Sequence, residues 1–179
     1  RVLCCWRDRV PDVIDVLRKL ARDENPRVRL EVVRAASFFA EPDALDVALS
    51  TTELPSDYYL DYTRGETLRA LEPVVKKALR EGREIEFRSE AAARYFLDRA
   101  AAEDLLQMKR TAPVLREILF RPGVREDDRR KALAELSASL GLTPAKVLTE
   151  QLSARDAEGA AAVDDAVAME LARMLGERD

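Results

Sequence analysis

Prolines at regular distances along the first 50 residues restrict the fold of this chain more than any other feature. Pro11, Pro26 and Pro42 each open a stretch in which apolar residues recur every three or four positions. Proline is tolerated in the first turn of a helix, where its missing N–H would have no partner, but it disrupts a helix interior. The pattern therefore predicts three amphipathic helices, the second capped by Asp23 or Asn25.

The same spacing predicts a repeat of helix pairs. Pro11 and Pro42 lie 31 residues apart, which is one helix pair per step and somewhat shorter than the ~40 to 47 residues of HEAT and armadillo units. We expect the helix over residues 26–39 to pack between its partner and a neighbour. Its apolar stripe should be buried and its polar face exposed, with Val32, Ala36 and Phe39 on the first and Arg27 and Glu31 on the second.

The rest of the chain keeps the helical pattern but loses the strict period. Helices are predicted over residues 57–71, 73–81, 89–100, 103–108, 111–120, 126–140, 143–152 and 160–175. Gly82, Gly123 and Gly141 are expected to end helices. The segment "REIEFR" at 83–88 alternates like a strand, but no second strand lies near it, so an extended linker is predicted.

These patterns together predict one α-helical repeat domain over residues 1–179, belonging to a longer protein. Within it we expect the end of a preceding repeat at 1–10, the most regular repeat at 11–50, irregular helical repeats at 51–152 and a terminal helix at 153–179. The softest connection is predicted over 153–162.

Composition argues against several classes of function. The 30 basic and 34 acidic side chains give a net charge of -4, which does not favour nucleic acid. Histidine is absent, and with it the commonest general base and transition-metal ligand. Cys4 and Cys5 are adjacent and fit neither a zinc nor a haem-attachment motif. No apolar run approaches the ~20 residues of a membrane span, so direct membrane insertion is not expected. No catalytic, cofactor or metal residue is predicted in this segment.

Three segments carry a resemblance to a known class of protein. "DENPRVRLEVVRAASFF" at 23–39 resembles the second helix of a HEAT repeat. Together with "SDYYLDYTRGETLRALEP" and "TAPVLREILFRPGVREDDRRKAL", it looks like the HEAT region of exported planctomycete-type proteins that combine a dehydrogenase-like β-propeller, HEAT repeats and a cytochrome-c module. The resemblance implies an all-α, HEAT/armadillo-like right-handed helical-repeat solenoid, irregular toward the C-terminus. It also implies an exported or periplasmic redox protein with haem c outside this segment.

Charged clusters are interpreted as solvated surface rather than sites. Asp57, Asp61 and Glu66 lack the glycine turn and alternating ligands of a calcium loop, so Asp57 is expected to cap a helix. The basic set Arg121, Arg125, Arg129, Arg130 and Lys131 is interleaved with acids, which predicts a solvated helix face. A second basic group has fewer acidic residues among its members and could dock an acidic partner. It consists of Lys76, Lys77, Arg80, Arg83 and Arg88. Trp6 is expected to pack in the core.

Three of the four tyrosines fall within five positions, at Tyr58, Tyr59 and Tyr62. Tyr58 and Tyr62 lie one turn apart on a helix, with Gly65 further along that face. We expect a packing role: Gly65 leaves a notch for a close neighbour, and the two rings flank it. Leu60, Leu68 and Leu71 would form the core stripe. Tyr59 would then be the exposed ring, and Gly65→Leu would destabilise the fold.

Two functions from different classes follow. In the first, the segment is a non-catalytic scaffold for protein–protein or interdomain contacts within a larger exported redox protein, with Tyr59, Lys76, Lys77 and Arg80 facing the partner. In the second, it is a structural part of a dehydrogenase/cytochrome-c enzyme and contributes to the surroundings of the active site. Its partners are other domains of the same polypeptide or another protein, and not nucleic acid.

Overall fold

The computed structural model describes residues 2–6, 9–157 and 162–176, without the side chain of Cys4. These described residues form α-helices joined by short connections and contain no strand. The helices are α1 Val2–Cys5, α2 Val13–Leu20, α3 Pro26–Ala36, α4 Asp43–Ser50, α5 Tyr58–Arg80, α6 Glu90–Leu97, α7 Ala102–Gln107, α8 Ala112–Phe120, α9 Glu126–Leu140, α10 Pro144–Ala157 and α11 Asp165–Gly176. The chain divides into two compact units, residues 1–99 and 100–179.

Helix α3 is the centre of the first unit and packs against α2, α4 and α5. Asn25 caps it by accepting a hydrogen bond from the N–H of Arg27, and Pro26 occupies its first turn. Val32 and Ala36 are buried, as is Phe39 just beyond the helix, which confirms the predicted stripe. Arg27 is exposed as predicted, whereas Glu31 is half-buried.

A buried arginine fastens α3 to the turn before it. Arg29 is 3% exposed, and its guanidinium donates hydrogen bonds to the carbonyl oxygens of Asp23 at 2.7 Å and Glu24 at 3.0 Å. A third hydrogen bond, of 2.6 Å, reaches the carbonyl oxygen of Pro55, just before α5. One side chain therefore ties together two connections by donating to three of their carbonyl groups.

The second unit contains an equivalent arginine on α9, which packs against α8 and α10. Arg129 is 1% exposed and donates to the carbonyl oxygens of Ile118, Leu119, Arg121 and Val124, and to Glu170 on α11 at 3.1 Å. The prediction of a solvated basic face over residues 121–131 is therefore wrong for Arg129. The carbonyls of the α8–α9 connection supply the partners that let this charge be buried.

Helix α5 is continuous where two separate helices were predicted. Residues 57–71 and 73–81 were expected to form two helices, but the structure shows one helix of 23 residues with Pro73 inside it. Proline costs a helix interior about 3 kcal/mol. Pro73 is exposed, so the carbonyl that loses its partner can meet water, while buried Leu71 and Val75 on either side hold the helix to the core.

The structure also tests three smaller predictions. Gly82, Gly123 and Gly141 have φ values of 70°, 81° and 65° and follow helix ends or turns as predicted. Residues 83–87 form no strand or helix, as expected of a linker. The prediction of a buried Trp6 is wrong, since its side chain is 54% exposed.

Part of the C-terminal prediction lies outside the described residues. The expected soft connection over 153–162 is helical as far as Ala157, and 158–161 are not described. The terminal helix is present as α11. The single domain over 1–179 and its four subdivisions stay predictions.

Replacing Arg129 by methionine should destabilise the second unit by about 2 to 4 kcal/mol, because the carbonyls around the guanidinium would be left buried without donors. The matched control is Arg130→Met, which removes a half-buried ion pair with Glu126 and should cost less than about 1 kcal/mol. Urea denaturation followed by circular dichroism measures both. Equal midpoints for the two variants would contradict the anchoring role.

Candidate functional site on the exposed face of helix α5

The candidate site is built on the first turns of α5, which are fixed to the core from the opposite side. Asp57 caps the helix by accepting a 2.8 Å hydrogen bond from the N–H of Leu60, as predicted. Leu60 and Leu71 are buried, whereas Leu68 of the predicted stripe is half-buried. Thr67 donates a 3.0 Å hydrogen bond to the carbonyl oxygen of Val33 on α3. The inner face of α5 is therefore held by both apolar packing and a specific polar contact.

Arg64 holds the loop that leads into α5. Its guanidinium is buried and donates to the hydroxyl oxygens of Thr51 and Ser56, each at 3.2 Å, and to Asp61 at 2.8 Å. The same group lies 5.2 Å from the ring centre of Tyr95, within the range of a cation–π contact. These contacts join the short 3₁₀ turn at residues 51–53, the loop at 54–57 and the first two turns of α5.

On the outer face, Tyr58, Tyr59 and Tyr62 form what we call the tyrosine cluster. Their side chains are 75%, 69% and 59% exposed. Tyr58 and Tyr59 meet edge to face with ring centres 5.5 Å apart, and Tyr58 and Tyr62 are nearly parallel, at 21°, with centres 6.4 Å apart. Rings at these separations favour one another by about 0.5 to 1.5 kcal/mol beyond area burial. The cluster is therefore an ordered aromatic surface that faces solvent.

The predicted packing role of Tyr58, Tyr62 and Gly65 is wrong. A Cβ atom added at Gly65 would meet no atom within 4 Å outside its own stretch of helix, so no described neighbour uses the notch. Tyr58 is two positions from Leu60, about 200° around the helix, so it points away from the core. The structure does place Tyr59 at the surface, as the sequence suggested, but its two neighbours join it there.

Acidic residues lie close to the tyrosine cluster in the sequence. Residues 53–66 contain four acidic side chains and one arginine, Arg64, which is buried. Asp61 accepts hydrogen bonds from Ser56 and Arg64 through one oxygen atom, and its side chain remains 57% exposed. Glu66 lies one turn beyond Tyr62 and pairs with exposed Arg69. Three of these four carboxylates are therefore paired with arginines, and the fourth, Asp57, caps the helix.

The other residues predicted to face a partner lie near the far end of the same helix. Lys77 and Arg80 are exposed and Lys76 is half-buried. Lys76 lies 18 residues from Tyr58, which is about 27 Å along the helix axis. Lys76 pairs with Glu72 at 2.7 Å and Lys77 lies 3.9 Å from Glu81, so this basic end is more neutralised than the sequence suggested. The structure puts all four predicted residues on one helix but does not bring them together.

An ion pair next to the site holds the 3₁₀ turn to α2. Arg22 donates to both carboxylate oxygens of Glu53, at 2.8 and 2.9 Å. The hydrogen bond from Arg22 lowers the pKa of Glu53 below its ordinary value, helped by the Ser89 hydroxyl and opposed by partial burial. The same hydrogen bond raises the pKa of Arg22. This pair fixes the residues from which the loop at 54–57 departs.

Two clefts in the first unit lie away from the tyrosines. One of about 390 Å³ between α2 and α3 is largely apolar and open to solvent. Another, of about 420 Å³, is lined by Asp12, Asp15, Glu41 and Asp43 together with Arg18 and Arg88. Within the described residues, no group of three or more metal-ligating side chains is placed to hold an ion. No helix in the described part of the chain is long and apolar enough to cross a membrane.

Comparison with known proteins finds a family that part of the chain is similar to. The family model for HEAT repeats matches residues 1–72, which include α1 to α4 and the tyrosine cluster. No curated protein and no solved structure matches the chain. This match supports a HEAT-repeat region over residues 1–72. Repeats of this kind generally act as protein–protein scaffolds and are typically non-catalytic.

Gly65→Ala should stabilise the protein by about 0.5 to 1 kcal/mol, because alanine has the better helix propensity and the added methyl group meets open space. Gly65→Leu should also be tolerated, against the expectation from sequence. The control is Gly141→Ala, which should be destabilising because Gly141 has a φ of 65°. Denaturant midpoints of the three variants test this. A Gly65→Ala variant that is less stable than wild type would contradict the prediction and would indicate a close neighbour at this position.

The pair of Glu53 and Arg22 should give a small, pH-dependent contribution to stability. Because the pKa of Glu53 is lowered on folding, the contribution is present above the unfolded pKa and is lost as pH falls through the folded one. Arg22 is 44% exposed, so the effect at pH 7 should be below about 1 kcal/mol. The difference in unfolding free energy between wild type and Glu53→Gln should shrink between about pH 5 and pH 3. A difference that stays constant would contradict it.

Proposed function

We propose that this chain is a non-catalytic helical-repeat scaffold that holds a partner protein, or another domain of the same polypeptide, against the tyrosine cluster. The observation that carries the proposal is the exposure of three neighbouring, mutually ordered tyrosines on the outer face of a helix fixed to the core. The HEAT-repeat match over residues 1–72 supports a scaffold in general and covers these residues.

The energetics of interfaces favour this surface over the rest of α5. Tyrosine is enriched among residues whose truncation costs most binding energy, because its ring supplies a large contact area with few rotatable bonds. Ring contacts within the cluster already restrict Tyr58 and Tyr62. Arg64 and Asp57 fix the backbone beneath them. Little conformational entropy is then lost when a partner covers the rings.

Support for a non-catalytic role comes from how the buried polar groups are used. Arg18 pairs with Asp46 at 3.3 Å, and Asp46 also accepts a hydrogen bond from the N–H of Arg88 at 3.0 Å. Arg29, Arg64 and Arg129 donate chiefly to connections between helices. The hydrogen bonds and ion pairs of these groups therefore hold helices and their connections in place.

The wider setting of the scaffold is proposed from the resemblance of its sequence. In this setting the chain is a right-handed solenoid segment, irregular toward its C-terminus, within a larger exported redox protein that carries haem c elsewhere. In the alternative, it is part of the dehydrogenase/cytochrome-c enzyme and shapes the surroundings of the active site. A Cys-x-x-Cys-His motif in the adjoining sequence would favour the enzyme assembly, and redox-inactive neighbouring domains would favour a scaffold alone.

The scaffold is tested by placing a photoreactive phenylalanine derivative at position 59 of the full-length protein in its native cells. Irradiation should give a discrete cross-linked product, either with a second protein or within the same polypeptide. The control carries the same probe at Lys19, an exposed position on another helix, α2. Equal yields at the two positions, or none at position 59, would count against an interface at the tyrosine cluster.

A further inference from the structure

Helix α11 is held in the second unit by a narrow face. Its two buried residues, Val167 and Leu171, lie one turn apart, and the half-buried Glu170 and Met174 complete the same stripe. Within the described residues, the backbone of α11 approaches those of other helices less closely than α9 approaches α8 and α10. Apolar packing therefore secures α11 much less than it secures α9.

Two ion pairs connect α11 to α9. Arg129 of α9 donates to Glu170 of α11 at 3.1 Å, and Glu126 of α9 pairs with Arg173 of α11. On each helix the acid and the base are three positions apart, which places them on the same face. The earlier residue of one helix meets the later residue of the other, as expected of antiparallel neighbours. We call these two contacts the docking pairs.

The docking pairs carry a large share of what keeps α11 in place. A helix of 12 residues is marginal in water by itself, and ordering it costs conformational entropy. Two buried apolar side chains have to offset this cost. The side chains of Arg173 and Glu170 are 57% and 35% exposed, so salt screens both pairs. The position of α11 is therefore sensitive to ionic strength.

We infer that α11 is a detachable helix, held on α9 by the docking pairs and released when these pairs are screened or broken. Release exposes Val167 and Leu171 to solvent. It also takes from Arg129 the one carboxylate among its described partners. The hydrogen bonds from Arg129 to the carbonyls of the α8–α9 connection do not involve α11, so α8 and α9 stay packed when α11 leaves.

The first unit shows that such an arginine anchors its turn without a carboxylate. Arg29 donates only to carbonyl oxygens, and its Nε atom is buried with no acceptor among the described residues. In Arg129 the corresponding Nε atom is the one that donates to Glu170. The contact with α11 is thus an addition to the anchor and not a part of it, which is what a separable helix requires.

Hydrogen exchange of the full chain, followed by mass spectrometry in about 0.05 M and about 0.5 M NaCl, tests the inference. At low salt, the amides of residues 169–176 should be protected, but should exchange at least about tenfold faster than those of residues 132–140 in α9. Raising the salt should speed exchange in α11 by about two- to fivefold, because it screens the docking pairs. Exchange in α9 should stay the same.

Two variants connect the release to the docking pairs. Glu170→Gln removes the charge that faces Arg129, and should speed exchange in α11 by about two- to fivefold while reducing its response to salt. The matched control is Glu150→Gln, which removes a 4.0 Å ion pair with Lys146 inside α10 and should leave exchange in α11 unchanged. Exchange in α9 shows whether each variant keeps the fold of the second unit.

Four results would overturn the inference. Equal exchange rates in α11 and α9 would make α11 an integral part of the unit, and unprotected α11 amides at low salt would show that the helix is not docked. A rate in α11 that does not respond to salt, or equal rates for Glu170→Gln and Glu150→Gln, would show that the docking pairs do not control release. None of these results bears on the proposed interface at the tyrosine cluster, which the cross-link at position 59 tests separately.

Discussion

The fold depends on arginines that are buried against backbone carbonyl groups. The carbonyl groups at the end of a helix and in the turn after it have no partner within the helix, so they need other donors. Arg29 supplies them between α2 and α3, and Arg129 supplies them between α8 and α9. A guanidinium has five N–H donors in one plane, so a single side chain satisfies several carbonyls at once. Removing it leaves several buried acceptors unpaired, which costs more than losing one hydrogen bond.

The same kind of anchoring holds the loop that precedes the candidate interface. Arg29 reaches the carbonyl of Pro55, and Arg64 reaches the Ser56 hydroxyl in the same loop. The loop enters α5 at Asp57, whose carboxylate caps the helix. The backbone that leads into Tyr58 is thereby held by hydrogen bonds from three side chains. Exposed tyrosines on a mobile loop would lose much conformational entropy on binding, whereas tyrosines on this fixed turn lose little.

Local chemistry predicted the helices well, because their ends depend on residues that act within one turn. Asn25 and Asp57 cap helices, as their positions suggested. Pro73 misled the prediction because its tolerance depends on exposure and on buried neighbours, which are tertiary properties. Burial of Arg129 was equally hidden, since its partners are carbonyls that the sequence does not distinguish. The outward direction of Tyr58 was available from sequence, because Leu60 and Leu71 define the opposite face.

The same arrangement of an arginine and buried apolar residues occurs in one helix of each unit, although the HEAT-repeat match ends at residue 72. Arg29 is the fourth residue of α3 and Arg129 is the fourth residue of α9. The positions that follow are buried in the same order, Val32, Val33 and Ala36 in one helix and Ala132, Leu133 and Leu136 in the other. An arginine at this position points back along the helix toward the preceding turn, as helical side chains do. The anchor therefore needs only an arginine, a turn and a following apolar stripe, and these persist in α9 although its sequence differs from that of α3.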